Sequence, residues 1–480
     1  MSGSNRRVAT AALMLATALQ AADATIVNVA LPQLEHDFGA GIELGTWIVT
    51  SYLCAAAVVA PLTGWLRRRL GPRRLYICAL SLFIGASLLC ALAPTAAAIV
   101  VCRAIQGAGG GVIPALSQAV LHDLYPRERH GRILAVWGAV AMVGPILGPA
   151  FGGIITDLVS WRWVFAINLP LGLAAVWGAR NMLPRRDREA AGGTFDAVGL
   201  ILLIVGVGAL QLCLQRAIGR SWLHSPEVLA EAALALVALV VMAVRTGKLG
   251  PTIIRFEVFR NANFAAAAFL NFTTSALLFT SIVFLPTVVE GPLGYPATIG
   301  GLSIVPRGIL MMLVILGAGR LIERVDYRFL ITVGSLVAAC GLGILAGLPA
   351  SHNVLGLVVV GSSLQAMGAG AILMPLSTCA LRGLPGDMRT DAAGLYSLLR
   401  QIGCACGVAV MSSILQIKLS VHGGVGVGAA PPSAWPDTAA LRAYAECFKI
   451  MAIAAIAVMP GILLFRGLQP RTVPETVAPD

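Results

Sequence analysis

Two charged residues stand where charge is costly. Asp23 lies within the apolar run 8–31 and Arg103 within the run 96–119. A carboxylate inside a membrane span is rare and marks an ion or substrate pathway. Burial favours its protonated form, and a nearby cation favours its ionised form. One such group can therefore hold a proton or a cationic ligand, but not both. Exchange of protons against a second solute requires that exclusion. Asp23 sits about eight residues from the outer end of its run, roughly 12 Å deep, and Arg103 about seven residues, roughly 10 Å. The depths agree, so the two side chains can meet in one cavity; a fixed packing pair is the competing reading.

A third intramembrane charge, Arg307, lies about nine residues into the run 298–317, roughly 14 Å from its outer end. It follows Pro306, so its helix can be locally broken there. It is expected to pair with Glu290, to meet an anionic group of a substrate, or to cap carbonyls freed by the proline, with a structural role favoured. Gln20, Asn28, Gln106, Asn168, Asn271, Arg400 and Gln401 are polar residues in or near spans. Cavity lining and hydrogen bonding between helices explain them equally well.

The elements that must position these groups follow from composition. Of 480 residues, 58% are hydrophobic and 12% charged, and the mean hydropathy is +0.85. A soluble domain is nearer half apolar and a quarter charged. Apolar runs bounded by charge, Gly and Pro fall at 8–31, 44–66, 75–93, 96–119, 132–155, 164–182, 197–215, 227–244, 264–287, 298–317, 329–349, 354–378, 393–415 and 446–466. Each is long enough to cross a bilayer as a helix. The reading is an all-α polytopic membrane protein with 14 transmembrane helices, which excludes a cytosolic enzyme, a secreted disulfide scaffold and a disordered tail protein. The first run carries Asp23 and Asn28 and lacks a small-residue cleavage site, so it reads as a span and not as a signal peptide.

The net charge of +12 is distributed, not clustered into a soluble basic face, so no nucleic acid is expected as a partner. Of the 34 basic residues, 26 fall on one side of the membrane, 6 on the other and 2 inside spans. Inner loops collect Lys and Arg, so both termini are expected in the cytoplasm. The ten cysteines form no CxxC and read as small apolar residues. The six histidines are scattered near loops or span ends, with no metal-ligand or triad spacing. A membrane-embedded enzyme therefore lacks its chemistry, and a sensor or scaffold lacks a soluble appendage.

The chain repeats itself. Gly64-Trp-Leu-Arg-Arg-Arg69, closing with Arg73, follows the second run, and Gly319-Arg-Leu-Ile-Glu-Arg324, closing with Arg328, follows the tenth. Gly107 to Pro114 in the fourth run matches Gly368 to Pro375 in the twelfth. Spans 1–6 thus resemble spans 9–14, with spans 7 and 8 between them. Two related halves with a site at their interface are the plan of many secondary transporters.

With those residues in view, the chain resembles the major facilitator superfamily, and within it the fourteen-span drug:proton antiporters of the EmrB/QacA type. Asp23-Ala-Thr-Ile-Val-Asn-Val-Ala-Leu-Pro32 is similar to that family's first-span signature, and Arg103-Ala-Ile-Gln-Gly107 to its fourth-span motif. Gly144, Gly148, Pro149, Gly152 and Gly153 resemble the fifth-span antiporter motif, with Ala135 where a further Gly is usual. Trp161 to Pro170 resembles the entry to span 6, and Gly64 to Arg74 the loop between spans 2 and 3.

The resemblance implies a major facilitator fold: an N-terminal six-helix bundle (1–190), two inserted central helices (191–260) and a C-terminal six-helix bundle (261–480). It implies a proton-coupled efflux antiporter in the cell (inner) membrane, exporting hydrophobic or amphipathic organic compounds by alternating access. A dedicated exporter of a single metabolite, siderophore or antibiotic is the alternative. No cofactor or metal is expected, since the proton gradient drives transport. Beyond substrate, protons and the lipid bilayer, the resemblance implies a periplasmic adaptor protein and an outer-membrane channel as possible partners.

Asp23 and Arg103 are then the coupling pair, with Gln20, Asn28, Gln106, Glu290 and Arg307 as cavity or gating candidates. Gly64, Arg69, Arg73 and Glu323 are the gating-loop candidates. The family's loop has an acidic residue at the position of Arg68; Glu323 is the expected source of the missing contact.

Overall fold

The computed structural model describes residues 3–38, 42–126, 129–182, 196–217, 225–249, 256–295, 297–322, 325–350, 353–381, 384–385, 388–423 and 437–465. Among the described residues there are helices and turns and no strand. Lipid offers no partner to a free peptide group, so each crossing segment closes its own backbone hydrogen bonds.

The first half contains α1 (Gly3–Asp37), α2 (Ile42–Val59), α3 (Thr63–Leu70), α4 (Pro72–Ala91), α5 (Ala96–Leu124), α6 (His130–Leu158), α7 (Arg162–Ala166) and α8 (Asn168–Met182). Two further helices follow, α9 (Ala197–Ala217) and α10 (Pro226–Leu249). The second half contains α11 (Ala262–Glu290), α12 (Ala297–Leu321), α13 (Tyr327–Leu345), α14 (Val354–Leu381), α15 (Arg389–Gly423) and α16 (Asp437–Ala457). Thirteen described stretches are long and apolar enough to cross a membrane, with α2–α3 and α7–α8 each counting as one. α6, 29 residues long, supplies the fourteenth rod, although its described apolar stretch is the shorter His130–Gly144.

Local chemistry sets the ends and breaks. Pro61 turns the second span through a 3₁₀ segment, Ala60–Leu62, before α3. Gly71, at φ 77°, lets the chain reverse between α3 and α4, and Pro72 starts the next helix. The Thr95 side chain accepts from the Ala98 N–H (3.2 Å), and Asp326 from that of Arg328 (2.8 Å), capping α5 and α13. Asn261, the expected first residue of the C-terminal bundle, caps α11 through the N–H groups of Asn263 and Phe264. The boundary expected at 190 lies outside the described residues.

The packing repeats as the sequence does. α1 packs on α6 and α8, and α11 packs on α15 and α16; α5 lies against α2 and α4, and α14 against α12 and α13. The inserted pair α9–α10 is a hairpin tied at both ends. Arg245 pairs with Asp196 (3.0 Å) at one end, and Arg216 with Glu227 (3.2 Å) and Glu231 (3.0 Å) at the other. α9 lies against both α2 and α15, so the insertion flanks both halves. Leu82, Leu89, Trp177, Leu236, Leu302 and Ile453 point outward and are exposed, as a lipid-facing surface demands.

Candidate coupling site

Asp23 on α1 and Arg103 on α5 meet at full burial, each 1% exposed. Arg103 Nη1 donates to Asp23 Oδ2 at 2.7 Å. The other carboxylate oxygen, Oδ1, accepts from Gln106 Nε2 (2.8 Å) and Asn168 Nδ2 (2.6 Å). Gln106 Oε1 in turn accepts from Arg103 Nη1 at 2.7 Å. The Asn168 amide also donates to Ser87 Oγ (2.9 Å), and Ser87 donates to the Phe165 carbonyl (2.9 Å). Above the guanidinium lies the Tyr52 ring, 4.2 Å from its centroid, and Phe165 stands 5.8 Å away. Gln20 reaches the Tyr52 hydroxyl at 3.0 Å. Both oxygens of this buried carboxyl group thus accept hydrogen bonds, from three donors in all.

Small residues allow this approach. A Cβ on Gly107 would overlap the Tyr52 backbone, one on Gly111 the Ala56 backbone, and one on Gly109 the Ala79 carbonyl. α5 thereby presses onto α2 and α4, which brings Arg103 under Tyr52. On the opposite side, Gly144 lies on Ala21 and Ala22, Gly148 on Thr25 and Gly152 on Ile26. This seam flanks Asp23 and fixes α1 against α6. The break between α7 and α8 at Ile167 sets Asn168 at the head of α8, aimed inward and buried.

A second site lies at the end carrying the Arg-rich loop, where the halves touch. Gly64 is in contact with the Asp391 carboxylate at the head of α15. Arg68 pairs with Asp391, and Arg67 with Asp123 (2.6 Å) and the Thr390 hydroxyl. Gly394 sits on Ala60 and Pro61. The repeat's partner contact is Gly319 on α12 against Ala135 of α6, and Ile315 lies beside Gly138. Each half thus offers a helix glycine to the other.

Several expected residues take other places. Arg69 stacks on Trp65 (4.9 Å), and Arg73 donates to the Arg180 carbonyl, so both stay within the first half. The acid facing Arg68 is Asp391; Glu323 lies outside the described residues. The side chains of Asn28, Pro149, Gly153 and Glu290 also lie outside the description. Arg307 does not cap the carbonyls freed by Pro306, as one expectation had it. Its Nη2 donates to the Leu278 carbonyl of α11 at 3.0 Å, a point about 18 Å along that helix from Glu290. Sequence reasoning missed Tyr52, Ser87, Phe165, Thr390, Asp123 and Asp391. Only Asp391 carried a signal, an acid at the head of a span in a chain with few acids. No group of three His, Cys, Asp or Glu fit to hold a metal occurs among the described residues.

Two pseudo-equivalent helical halves, the first holding a buried ion pair, define a membrane transporter of the major facilitator type. The Major Facilitator Superfamily model matches residues 13–408, and the chain belongs to that family. It is 33% identical over 413 residues to the multidrug export protein EmrB of Haemophilus influenzae, covering 86% of this chain and 81% of that protein. It is also 33% identical to the fatty acid resistance protein FarB of Neisseria gonorrhoeae, again over 86% and 81%. The fold matches the human organic anion transporter MFSD10 with a TM-score of 0.65 at 16% identity, over 94% of this chain and 99% of that one. It matches the proton:xylose symporter XylE with a TM-score of 0.62, also at 16% identity, over 94% and 95%.

Proposed function

We propose that the protein is a proton-coupled efflux antiporter for hydrophobic or amphipathic organic compounds, with Asp23 as the coupling group. The observation that carries this reading is the Asp23 carboxylate, buried and held by Arg103, Gln106 and Asn168. Protonation of Asp23 removes the charge that Arg103 holds, and a cationic solute competes for the same oxygens. Proton and solute then exclude one another at one carboxylate, which is the condition for exchange.

The seam at Gly64–Asp391 and Gly319–Ala135 supports alternating access, because one end of the two halves is shut by a pair of equivalent contacts. The Arg-rich end is read as cytoplasmic, with both termini there. The halves are proposed to divide near residues 190 and 260. The names of EmrB and FarB support an efflux role and amphipathic cargo. If the cell has two membranes, a periplasmic adaptor and an outer-membrane channel complete the route.

The test is dye export from inverted vesicles under an imposed proton gradient, comparing wild type with Asp23→Asn at equal protein. Gradient-driven transport lost in the variant, with equilibrium exchange retained, is the expected result. Transport that stays gradient-driven in Asp23→Asn sinks the assignment of Asp23.

A further inference from the structure

We infer that Arg307 and Gln365 form an acid-recognising site in the second half, which takes the carboxyl head of an amphipathic organic acid. Arg307 on α12 is 2% exposed, and so is Gln365 on α14. Both reach the same stretch of α11: Arg307 Nη2 donates to the Leu278 carbonyl (3.0 Å) and Gln365 Nε2 to the Leu277 carbonyl (3.3 Å). Three helices thus bring a cation and an amide to adjacent peptide groups.

Each side chain keeps a buried polar atom with no partner, Nη1 of Arg307 and Oε1 of Gln365. Ser275 Oγ, one turn earlier on α11, is a third. Among the described residues no carboxylate lies within ion-pair distance of Arg307, in contrast to Arg103. A buried guanidinium without a counter-charge is costly, and so is an amide oxygen left without a donor.

The unmet demands are one acceptor bearing negative charge and one donor. A carboxyl group answers one demand or the other according to its protonation state: the carboxylate supplies the negative charge, and the acid supplies the donor. As a carboxylate it accepts from Nη1; as an acid its hydroxyl donates to Oε1. Alcohols lack the charge, and quaternary ammonium heads have the wrong sign. The depth of Arg307 within its span places the head group away from the lipid surface, while α11 and α14 offer apolar side chains to the tail. This assignment rests on the transport reading above for the route by which a solute arrives.

The experiment compares three ten-carbon probes, radiolabelled decanoate, decanol and decyltrimethylammonium, binding to the full-length protein in nanodiscs, with empty discs as the blank. The shared tail holds the apolar contribution constant, so differences report the head group. Wild type is expected to bind decanoate about tenfold or more tighter than decanol, and Arg307→Gln to remove that preference. Arg307→Lys should retain part of it, and Gln365→Leu should weaken decanoate about three- to tenfold.

Equal affinity for decanoate and decanol in wild type overturns the site, as does a preference that survives in Arg307→Gln. If Arg307→Gln does not fold, Arg307→Lys and Gln365→Leu decide, and an unchanged preference in both overturns it. Discs containing phosphatidylglycerol separate a transported acid from a lipid head group: decanoate affinity should not change, and its loss there assigns the site to lipid. A wild type that exports no dye would sink the antiport reading while leaving the head-group preference to be read alone.

Discussion

Gly64 presses on the carboxylate of Asp391 with no room for a Cβ between them, across the boundary between the two halves. The same carboxylate is paired with Arg68, next but three along α3. The small residue and the ion pair therefore act at one spot. The glycine allows the approach, and the pair favours it once made. In the other half Gly319 rests on Ala135 in the equivalent position.

Gly64→Ala should hold the halves apart at this end. Export by this variant should fall about tenfold or more at near-normal expression, since closing the seam would require displacing the Asp391 carboxylate and the backbone that carries it. Gly85, with open space beside it, is the control position, and Gly85→Ala should be nearly silent. Distance measurements between spin labels across the seam would check the cause. A closed-seam distance in Gly64→Ala equal to wild type would refute it.

Arg68 and Asp391 should show coupling in a double-mutant cycle. Asp391 is buried while Arg68 is partly exposed, so a coupling of about 1 kcal/mol is expected. Asp391→Asn alone should reduce export severalfold, and Arg68→Asp combined with Asp391→Arg should recover part of the loss. Additive effects of the two single changes would show that the contact is incidental.

Arg103→Lys should be inactive although it keeps the charge. One nitrogen of Arg103 serves both Asp23 and Gln106, while the planar group lies over Tyr52. An ammonium cannot reproduce that stacked, directional arrangement. The loss should be on the order of 10- to 100-fold in gradient-driven export, with the protein still inserted and thermally folded in detergent. Export above half of wild type would show that charge alone suffices.

Tyr52 separates ring from hydroxyl. Tyr52→Phe keeps the face over Arg103 and loses only the contact with Gln20, so export should stay within about threefold of wild type. Tyr52→Ala removes the ring and opens a cavity beside the ion pair, and thermal stability should drop by about 3 kcal/mol or more. Equal behaviour of the two variants would mean the ring does not matter.

Gly148→Val should damage folding more than transport. Its added atoms would meet Thr25 and Ile26 at the α1–α6 seam. A penalty of about 1–3 kcal/mol is expected from overpacking, visible as a lower melting temperature and a smaller folded yield. A variant as stable as wild type would show that the seam can spread.

Much was legible in advance because a bilayer is an exacting solvent. The number and length of the spans follow from where apolar runs stop, which needs no knowledge of neighbours. Asp23 and Arg103 stood out because charge in such a run is rare, and equal depth in two helices was enough to pair them. Depth cannot say which side a residue faces or what lies one helix away. That Asn168 turns inward depends on a break at Ile167, and that Tyr52 covers Arg103 depends on Gly107 admitting α5. Asp391 opposite Arg68 is 323 residues distant along the chain, and no local pattern links them. The burial of a charge costs the same wherever its partner comes from, so the sequence shows that a partner is needed, while its identity emerges only when the helices have packed.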